Sequence, residues 1–445
     1  MRPLPLAAAL FLGTQLAAGP APAALDVTEA TLDNGLRVLV LEDHRSPVVS
    51  VQVWYRVGSR NERPGATGLA HFLEHMMFKG TKARGKGEFS RLIEQNGGHD
   101  NAFTTQDVTS YYVNTAAEKV DMVLALEADR MRNLLLDPKE IDSERQVVME
   151  ERRTRTEDDP DGLLSEEMMS LAFKAHPYRW PVIGWMEDIR RINPTELRAF
   201  YDLYYRPNNA ILVVAGDVAA PAILSRVREL FGPIPRGPDT PPVTAVEPPQ
   251  IDERRLVVRK AGAQLPIVDL AWHVPNFRSA DAPALELLST ILSEGRASRL
   301  YRKLTYERRL AMAAGGDYSY FSLDPNIFWL YATPLPGQTP EALEQALLAE
   351  IELAKTDPIP AEEIDRAKNQ IEAGFIWRQD SVQSRASSLA RFELLGSWRL
   401  TEQYIPAIRA VTAADLQRVA RTYFPAERKN GAVLLPAEPP APAGK

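Results

Sequence analysis

Three stretches in the first half of the sequence recur in the second half, in the same order and at nearly the same spacing. Ordered echoes of this kind predict a duplicated domain, in which each copy builds a core from the same succession of elements. A general likeness among α/β patterns is the alternative that the sequence leaves open. The three pairs are Val48–Val57 with Ile267–Val274, Glu140–Asp142 with Glu363–Asp365, and Ile192–Ala215 with Val411–Leu435.

A proline-rich segment at 233–254 lies between the two sets of echoes. Proline disfavours helix interiors and central strands, so this segment predicts a semi-rigid linker. The 445 residues also exceed what one hydrophobic core usually supports. We therefore predict an N-terminal domain at 25–232, a C-terminal domain at 255–436 and a frayed tail at 437–445.

Each half is predicted to have an α+β fold. We expect a mostly antiparallel sheet with helices packed on one face, and two such domains that face each other across a cleft. The Asn34-Gly35 turn between apolar runs indicates a β-hairpin near the start. Val48–Val57 has the alternation of a strand, and Phe103–Thr115 is rich enough in Thr, Tyr and Val to predict another.

The first 24 residues have the pattern of a secretory signal peptide. A basic residue at Arg2 precedes the apolar run Leu4–Ala18, and small residues follow up to Ala24. We expect cleavage near Ala23 or Ala24 and an exported chain, periplasmic if the source is Gram-negative. The alternative is a disordered N-terminal extension. No later run of apolar residues is long enough for a membrane-spanning helix.

Composition excludes several classes of function. The chain has no cysteine, so disulfides, thiolate nucleophiles, iron–sulfur clusters and cysteine zinc sites are ruled out. The net charge is -7, with 52 basic and 59 acidic residues and no basic patch, which argues against nucleic-acid partners. A metal site in this chain would have to use histidine and carboxylate ligands.

Two of the six histidines, His71 and His75, stand one helical turn apart with Glu74 between them. Both imidazoles could therefore reach one metal ion, and Glu74 could lie beside a water molecule on that ion. This H-x-x-E-H pattern is that of the inverted zincins. The alternative is a helix with two histidines on its polar side. The other histidines have no such spacing and are predicted to be structural or outside the metal shell: His44, His99, His176 and His273.

Three segments together closely resemble the M16 metallopeptidases, the family of pitrilysin, insulin-degrading enzyme and mitochondrial processing peptidase. They are HFLEH, GGHDNAFTTQDVTSYY at 97–112 and SERQVVMEERRTRTEDDP at 143–160. The chain's size is similar to that of the short-chain subfamily and the processing-peptidase β subunit. The resemblance implies one Zn²⁺ per chain and a zinc endopeptidase in which Glu74 is the general base.

The resemblance also places the third zinc ligand at Glu151, on a later helix. Glu150 is the rival, but adjacent helical residues point about 100° apart, so only one of the two can face the metal. Glu144 matches a family carboxylate near the site, and we interpret it as a support for the metal ligands. The alternative for Glu144 is a solvated charge on the helix surface.

Asn101, Ala102 and Phe103 match the family's edge strand beside the zinc. There a peptide would add to the sheet through backbone hydrogen bonds, with Phe103 beside the scissile bond and Asn101 and Ala102 holding the substrate carbonyl. Ordinary core packing is the alternative for Phe103. The predicted cleft between the halves would exclude folded proteins by size and admit extended peptides, so we expect small, unfolded or signal-like peptides as substrates.

The resemblance is incomplete in the second half. Active members use an Arg and a Tyr of the later domain near the zinc, and the matching positions here are Thr305 and Met312. Neither side chain supplies a guanidinium or a phenol. We expect a zinc subunit with a homologous partner chain that supplies the Arg and Tyr, as a heterodimer or a homodimer. The alternative is a catalytically silent scaffold subunit.

Overall fold

A computed structural model describes residues 26–437, so the predicted signal peptide and nearly all of the predicted tail lie outside the described residues. Within this range the chain forms two sheets with helices around them. Residues 233–253, which include most of the predicted linker, form no helix or strand. No described helix is both long and apolar enough to cross a membrane.

The elements before the proline-rich segment are β1 (Val27–Thr31), β2 (Arg37–Glu42), β3 (Val48–Tyr55), α1 (Leu69–Met76), α2 (Glu88–Gln95), β4 (His99–Thr104), β5 (Thr109–Ala116), α3 (Val120–Asn133), α4 (Pro138–Arg152), α5 (Pro160–Ala172), α6 (Met186–Arg191), α7 (Pro194–Tyr204), β6 (Ala210–Gly216) and α8 (Ala220–Phe231).

The elements after it are β7 (Arg254–Lys260), β8 (Ile267–Val274), α9 (Ala282–Ser293), β9 (Ala311–Tyr318), β10 (Asn326–Pro334), α10 (Pro340–Thr356), α11 (Ala361–Trp377), α12 (Val382–Leu394), α13 (Thr401–Ala410), α14 (Ala413–Tyr423) and β11 (Asn430–Pro436). The two members of each sequence echo lie on equivalent elements of the two halves.

The two sheets share one connectivity. The first has the order β1-β2-β6-β3-β5-β4 and the second β7-β11-β8-β10-β9. In each sheet one neighbouring pair is parallel, β2 with β6 and β7 with β11, and the other pairs are antiparallel. The second sheet lacks only a counterpart of β1. This arrangement confirms the predicted α+β class of two similar, mostly antiparallel halves.

The predicted strand Phe103–Thr115 is wrong as a single element, because the chain turns between β4 and β5. The Thr105 hydroxyl accepts hydrogen bonds from the backbone N–H groups of Asp107 and Val108, both at 3.1 Å. The Thr105 N–H in turn donates to the Val108 carbonyl at 2.8 Å. A threonine that bonds its own backbone competes with strand continuation. After this turn β4 lies at one of the two edges of the first sheet, and β1 lies at the other.

Each sheet is covered on both faces, and one cover comes from the other half of the chain. Along β3, Val49, Val51 and Val53 enter the core of their own half, whereas Trp54 faces the opposite side. There Ala386, Leu389 and Ala390 of α12 pack on the first sheet. Conversely, α5 packs on the second sheet through Leu164, Met168 and Ala172. The two halves therefore exchange one helix each, in addition to the helices that each packs on its own sheet.

Candidate metal centre

Helix α1 carries the H-x-x-E-H motif and is held at its start by a buried carboxylate. Glu62 accepts the backbone N–H of Gly68 at 2.8 Å and that of Ala70 at 2.7 Å. Because the first N–H groups of a helix have no partner within it, this carboxylate satisfies them and complements the helix dipole. Gly68 has φ 87°, and a side chain there would meet the Ile183 carbonyl, so glycine is required.

The same helix buries its apolar residues in the first core and leaves the motif on one side. His71, His75 and Glu151 each offer a ligand atom within 4.8 Å of the others. The Nε2 atoms of His71 and His75 lie 3.8 Å and 3.4 Å from the Glu151 carboxylate. The three groups predicted as metal ligands are thus brought together by α1 and α4.

Glu151, and not its neighbour Glu150, faces this cluster. The Glu151 side chain is 15% exposed, whereas that of Glu150 is 68% exposed and pairs with Arg153 at 2.8 Å. Glu151 also contacts the exposed Arg155 at 2.6 Å. The hydrogen bond from His75 lowers the pKa of Glu151, against the effect of burial. The angle of about 100° between adjacent helical residues thus directs Glu151 toward the cluster and Glu150 toward solvent.

Glu144 lies one step behind the cluster. Its carboxylate is 2.8 Å from Nδ1 of His75 and also pairs with Lys79. Burial opposes ionisation of Glu144, but the contacts with His75 and Lys79 outweigh it and lower the pKa. With Nδ1 engaged by a carboxylate, Nε2 of His75 is the nitrogen that remains for a metal.

The surroundings of the two histidines shift their pKa values in opposite directions. Burial, together with the nearby His75, lowers the pKa of His71 to about 4. For His75, burial is outweighed by the hydrogen bonds to Glu144 and Glu151, which raise the pKa to about 9. Two imidazoles and one carboxylate are a donor set that Zn²⁺ takes in catalytic sites, and the Nε2 atoms converge on Glu151 as such a site requires. The residues therefore fit a zinc ion.

Glu74 lies beside the cluster without belonging to it. Its carboxylate accepts a hydrogen bond from the Thr104 hydroxyl at 2.5 Å. Burial raises the pKa of Glu74, and the Thr104 contact only partly offsets this. A carboxyl group with a raised pKa next to a metal site is suited to taking up and releasing a proton.

The edge strand β4 passes close to these groups. Asn101 is exposed, and its side-chain oxygen accepts the backbone N–H of Ala102 at 2.8 Å. Phe103 packs edge-to-face on Trp54, with ring centroids 5.3 Å apart, and is half-buried. Phe103 therefore combines core packing with a position on the edge strand.

A cavity of about 560 Å³ opens onto the cluster and has walls from both halves. His71, Glu151 and Thr104 line it on one side, and Asn326 and Trp329 line it on the other. The predicted cleft between the halves is therefore present at the metal centre. It leaves room for a group next to the three ligands.

Thr305 and Met312, the two positions where the resemblance fails, have side chains with neither a charge nor a phenol. The Thr305 hydroxyl is buried and has no hydrogen-bond partner among the described residues. Met312 lies on β9 and is 54% exposed. The four remaining histidines are outside the cluster. His99 is exposed, His44 contacts Asp217, His176 contacts Asp324 and His273 contacts the Ala172 carbonyl.

Three residues near the site carry no motif that would have revealed them in the sequence. Glu62 caps α1, and Arg155 contacts Glu151. Thr104 donates a hydrogen bond to Glu74. Its position directly after Phe103, on the predicted edge strand, is the one sequence feature that could have indicated this role. Glu62 can cap α1 only because the chain between β3 and α1 turns back on itself. No local sequence pattern indicates that turn.

The family model described as insulinase, peptidase family M16, matches residues 37–184. The model described as the peptidase M16 inactive domain matches residues 191–371. The chain belongs to peptidase family M16. The resemblance drawn from the motifs is thereby confirmed, and the metal cluster lies within the first of the two M16 regions.

M16 relatives of the same length are similar over nearly the whole chain. The zinc protease PqqE of Helicobacter pylori is 35% identical over 409 residues, covering 91% of this chain and 92% of the relative. An uncharacterized zinc protease of Mycobacterium leprae is 31% identical over 413 residues, with 92% and 91% covered. The crystal structure of a protease from Helicobacter pylori superimposes with a TM-score of 0.90 at 35% identity, covering 93% of this chain and all of the other.

A longer M16-like neighbour shows the fold alone. The periplasmic protease PqqL of Escherichia coli has a TM-score of 0.74 at 20% identity, and the match covers 93% of this chain but 49% of PqqL. The present chain therefore corresponds in fold to about half of that protein.

Proposed function

We propose that this M16 chain is a zinc-dependent endopeptidase that hydrolyses small or unfolded peptides. The observation that carries the proposal is the convergence of His71, His75 and Glu151, with Glu74 beside them and a cavity in front. One zinc ion per chain is proposed, because the other described histidines lie outside this cluster. The zinc-protease names of the relatives support the same reading.

His71, His75 and Glu151 would hold the zinc ion, with Glu144 fixing the ring of His75. When bound, zinc supplies a Lewis acid and lowers the pKa of a water molecule to about 7. Glu74 is the group placed to accept a proton from the water that attacks the peptide carbonyl, and to deliver it to the leaving amine. Thr104 orients the Glu74 carboxylate through its hydroxyl.

The substrate would bind as an added strand on β4. An edge strand offers backbone groups to an extended peptide whatever its sequence, so this mode suits unfolded substrates. Asn101 would release the Ala102 N–H, which then bonds a substrate carbonyl. Phe103 would lie against a side chain close to the scissile bond.

We propose that a homologous partner chain completes the site. Thr305 and Met312 supply neither charge nor phenol, so the groups that polarise the substrate carbonyl have to come from elsewhere. A second copy of this chain has the same two residues, which favours a heterodimer over a homodimer. The partner is expected to carry the Arg and Tyr.

The second candidate is a catalytically silent scaffold subunit of the same family. Thr305 and Met312 favour it, as does the match of residues 191–371 to a model described as an inactive domain. Glu74 argues against it, because a scaffold gains nothing from a buried carboxylate beside a metal site. The buried contact of Glu144 with His75 argues the same way.

We also propose that the chain is exported to the periplasm. The support is the pattern of the first 24 residues, with Arg2 before an apolar run and small residues at its end. The N-terminal sequence of protein recovered from the compartment would test this, and an uncleaved start at Met1 would contradict it.

The experiment that tests the function measures zinc content and cleavage of a fluorogenic peptide library, with the chain alone and with a co-purified partner. One zinc per chain and cleavage in the presence of the partner are expected. Cleavage by the chain alone would refute the need for a partner. Bound zinc without cleavage in either case would favour the scaffold.

A further inference from the structure

A second cavity, of about 220 Å³, lies next to the one at the metal centre. Both are lined by Gln106, Ser319 and Asn326. The second is also lined by Phe103 and by Arg391 of α12. A strand rises about 3.3 Å per residue, so a peptide on β4 that reaches the metal centre would pass this cavity within a few residues.

Arg391 has no acidic partner. Among residues 26–437, no carboxylate contributes to the electrostatic setting of Arg391. Burial lowers the pKa of Arg391, and the one charged group that adds to this is Arg378, which has the same sign. Arg391 is an exposed residue, and it lines this cavity. A guanidinium with five N–H donors is thus held at the cleft without an acceptor.

The one carboxylate in the cavity wall is already engaged. Asp107 accepts hydrogen bonds from the Tyr178 hydroxyl at 2.7 Å and from the Leu323 N–H at 3.0 Å, and it pairs with Arg60 at 3.2 Å. The bond from Leu323 joins the β4–β5 turn to the second half. The charge that the cavity offers to a ligand is therefore that of Arg391.

We propose that Arg391 is a specificity-determining residue that binds a carboxylate of the peptide substrate near Phe103. The proposal rests on the proposed peptidase function. The carboxylate is either an Asp or Glu side chain or the free C-terminus, and both fit the two-pronged geometry that arginine prefers. The enzyme then favours peptides with an acidic group a few residues from the cleaved bond.

The test uses peptide pairs with the active assembly. One pair differs by Glu or Gln at successive positions on either side of the cleaved bond, and the other by a C-terminal acid or amide. The pair that responds identifies the source of the carboxylate. A single well-placed Glu, or the free acid, should raise kcat/KM by about tenfold, the range of a charged hydrogen bond.

R391Q should bring this ratio close to one, and R391E should invert it in favour of a Lys-containing peptide. The inversion is a gain of preference, which misfolding cannot produce. R259Q is the matched control, because Arg259 is an exposed residue of β7 outside both cavities. It removes the same charge and should retain the preference.

Binding separates failure of this inference from failure of the peptidase function. Fluorescence anisotropy with the same peptides should show the acidic preference in the Glu74→Gln chain, where no turnover is needed. Preference in binding without cleavage by the parent enzyme would overturn the function and keep the subsite. Cleavage with equal kcat/KM for every acidic and neutral pair would overturn the subsite.

Discussion

The two halves of the chain have the same strand connectivity, yet among the described residues only the first half has a cluster of side chains that could hold a metal ion. In the first half, α1 and α4 bring together two imidazoles and a carboxylate. In the second half, the space between α9 and α11 is a cavity lined by Thr290, Glu294 and Gly374, with no histidine on either helix. The comparison shows that the apolar positions that build the fold are separate from the few side chains that carry the chemistry.

The largest expected difference between the halves concerns the metal. His71→Ala should remove zinc and peptidase activity together, because two remaining ligands do not complete a catalytic zinc site. Thr290→Ala, in the corresponding space of the second half, should leave both unchanged. Zinc per chain by mass spectrometry and the cleavage rate check this. Zinc retained at one per chain in His71→Ala would place the site elsewhere.

Loss of the base should separate metal binding from turnover. Glu74→Gln should lower kcat by about 10²- to 10⁴-fold, the contribution of general acid–base catalysis, while zinc stays bound. Glu294→Gln is the control in the second half, since Glu294 is exposed and lines the cavity without a metal cluster. Full zinc-dependent activity in Glu74→Gln would falsify the role given to this residue.

A smaller effect on zinc binding is expected from Glu144, which contacts the proposed ligand His75. Glu144→Gln removes the charge that holds Nδ1 of His75, and zinc affinity should weaken about 10- to 100-fold. Glu150→Gln lies on the same helix with a 68% exposed side chain and should leave the affinity unaltered. Competition with a chelator of known affinity measures both. Equal zinc affinities for the two variants would show that Glu144 does not support the metal ligands.

The second half has a buried carboxyl of its own, and its expected effect is on stability. Burial raises the pKa of Glu286 to about 7, and the hydrogen bond from Tyr404 opposes this. Between pH 4.5 and 7 the unfolded chain is ionised at this residue while the folded chain is protonated, so stability falls as pH rises. The slope is at most about 1.4 kcal/mol per pH unit.

Glu286→Gln should therefore remove this loss, so that the difference in Tm between pH 5 and pH 7 becomes smaller than in the parent chain. Glu341→Gln, which changes an exposed carboxylate at the start of α10, is the control. An unchanged pH dependence in Glu286→Gln would show that this carboxyl is ionised in the folded chain. The first-half variants at Glu144 and Glu74 concern metal and turnover, whereas this one concerns folding alone.

The sequence was sufficient wherever the signal is local. The spacing of His71 and His75 on one helix, the Asn34-Gly35 hairpin and the alternation along β3 are properties of a few consecutive residues. Family resemblance added Glu151, which no local pattern of α4 would have separated from other carboxylates of that helix. The distances among these groups agree with that choice.

What the sequence could not show depends on contacts between distant segments. Glu62 reaches the start of α1 through a fold in the intervening chain, and Arg391 faces Phe103 only because α12 crosses to the first sheet. The β4–β5 turn was missed because its residues have the composition of a strand, and the Thr105 hydroxyl bonds that close it are visible only in three dimensions.

The exchange of α5 and α12 has a consequence for the order in which the chain can fold. The outer side of the first sheet, with Leu39, Trp54 and Ile211, stays exposed until α12 and Trp398 have been synthesised. Segments emerge from the N-terminus first, so this apolar surface waits for most of the chain to leave the ribosome. The first half therefore has no cover of its own for this face of its sheet. A truncation before α12 would leave that surface open to aggregation, even though His71, His75 and Glu151 would all be present.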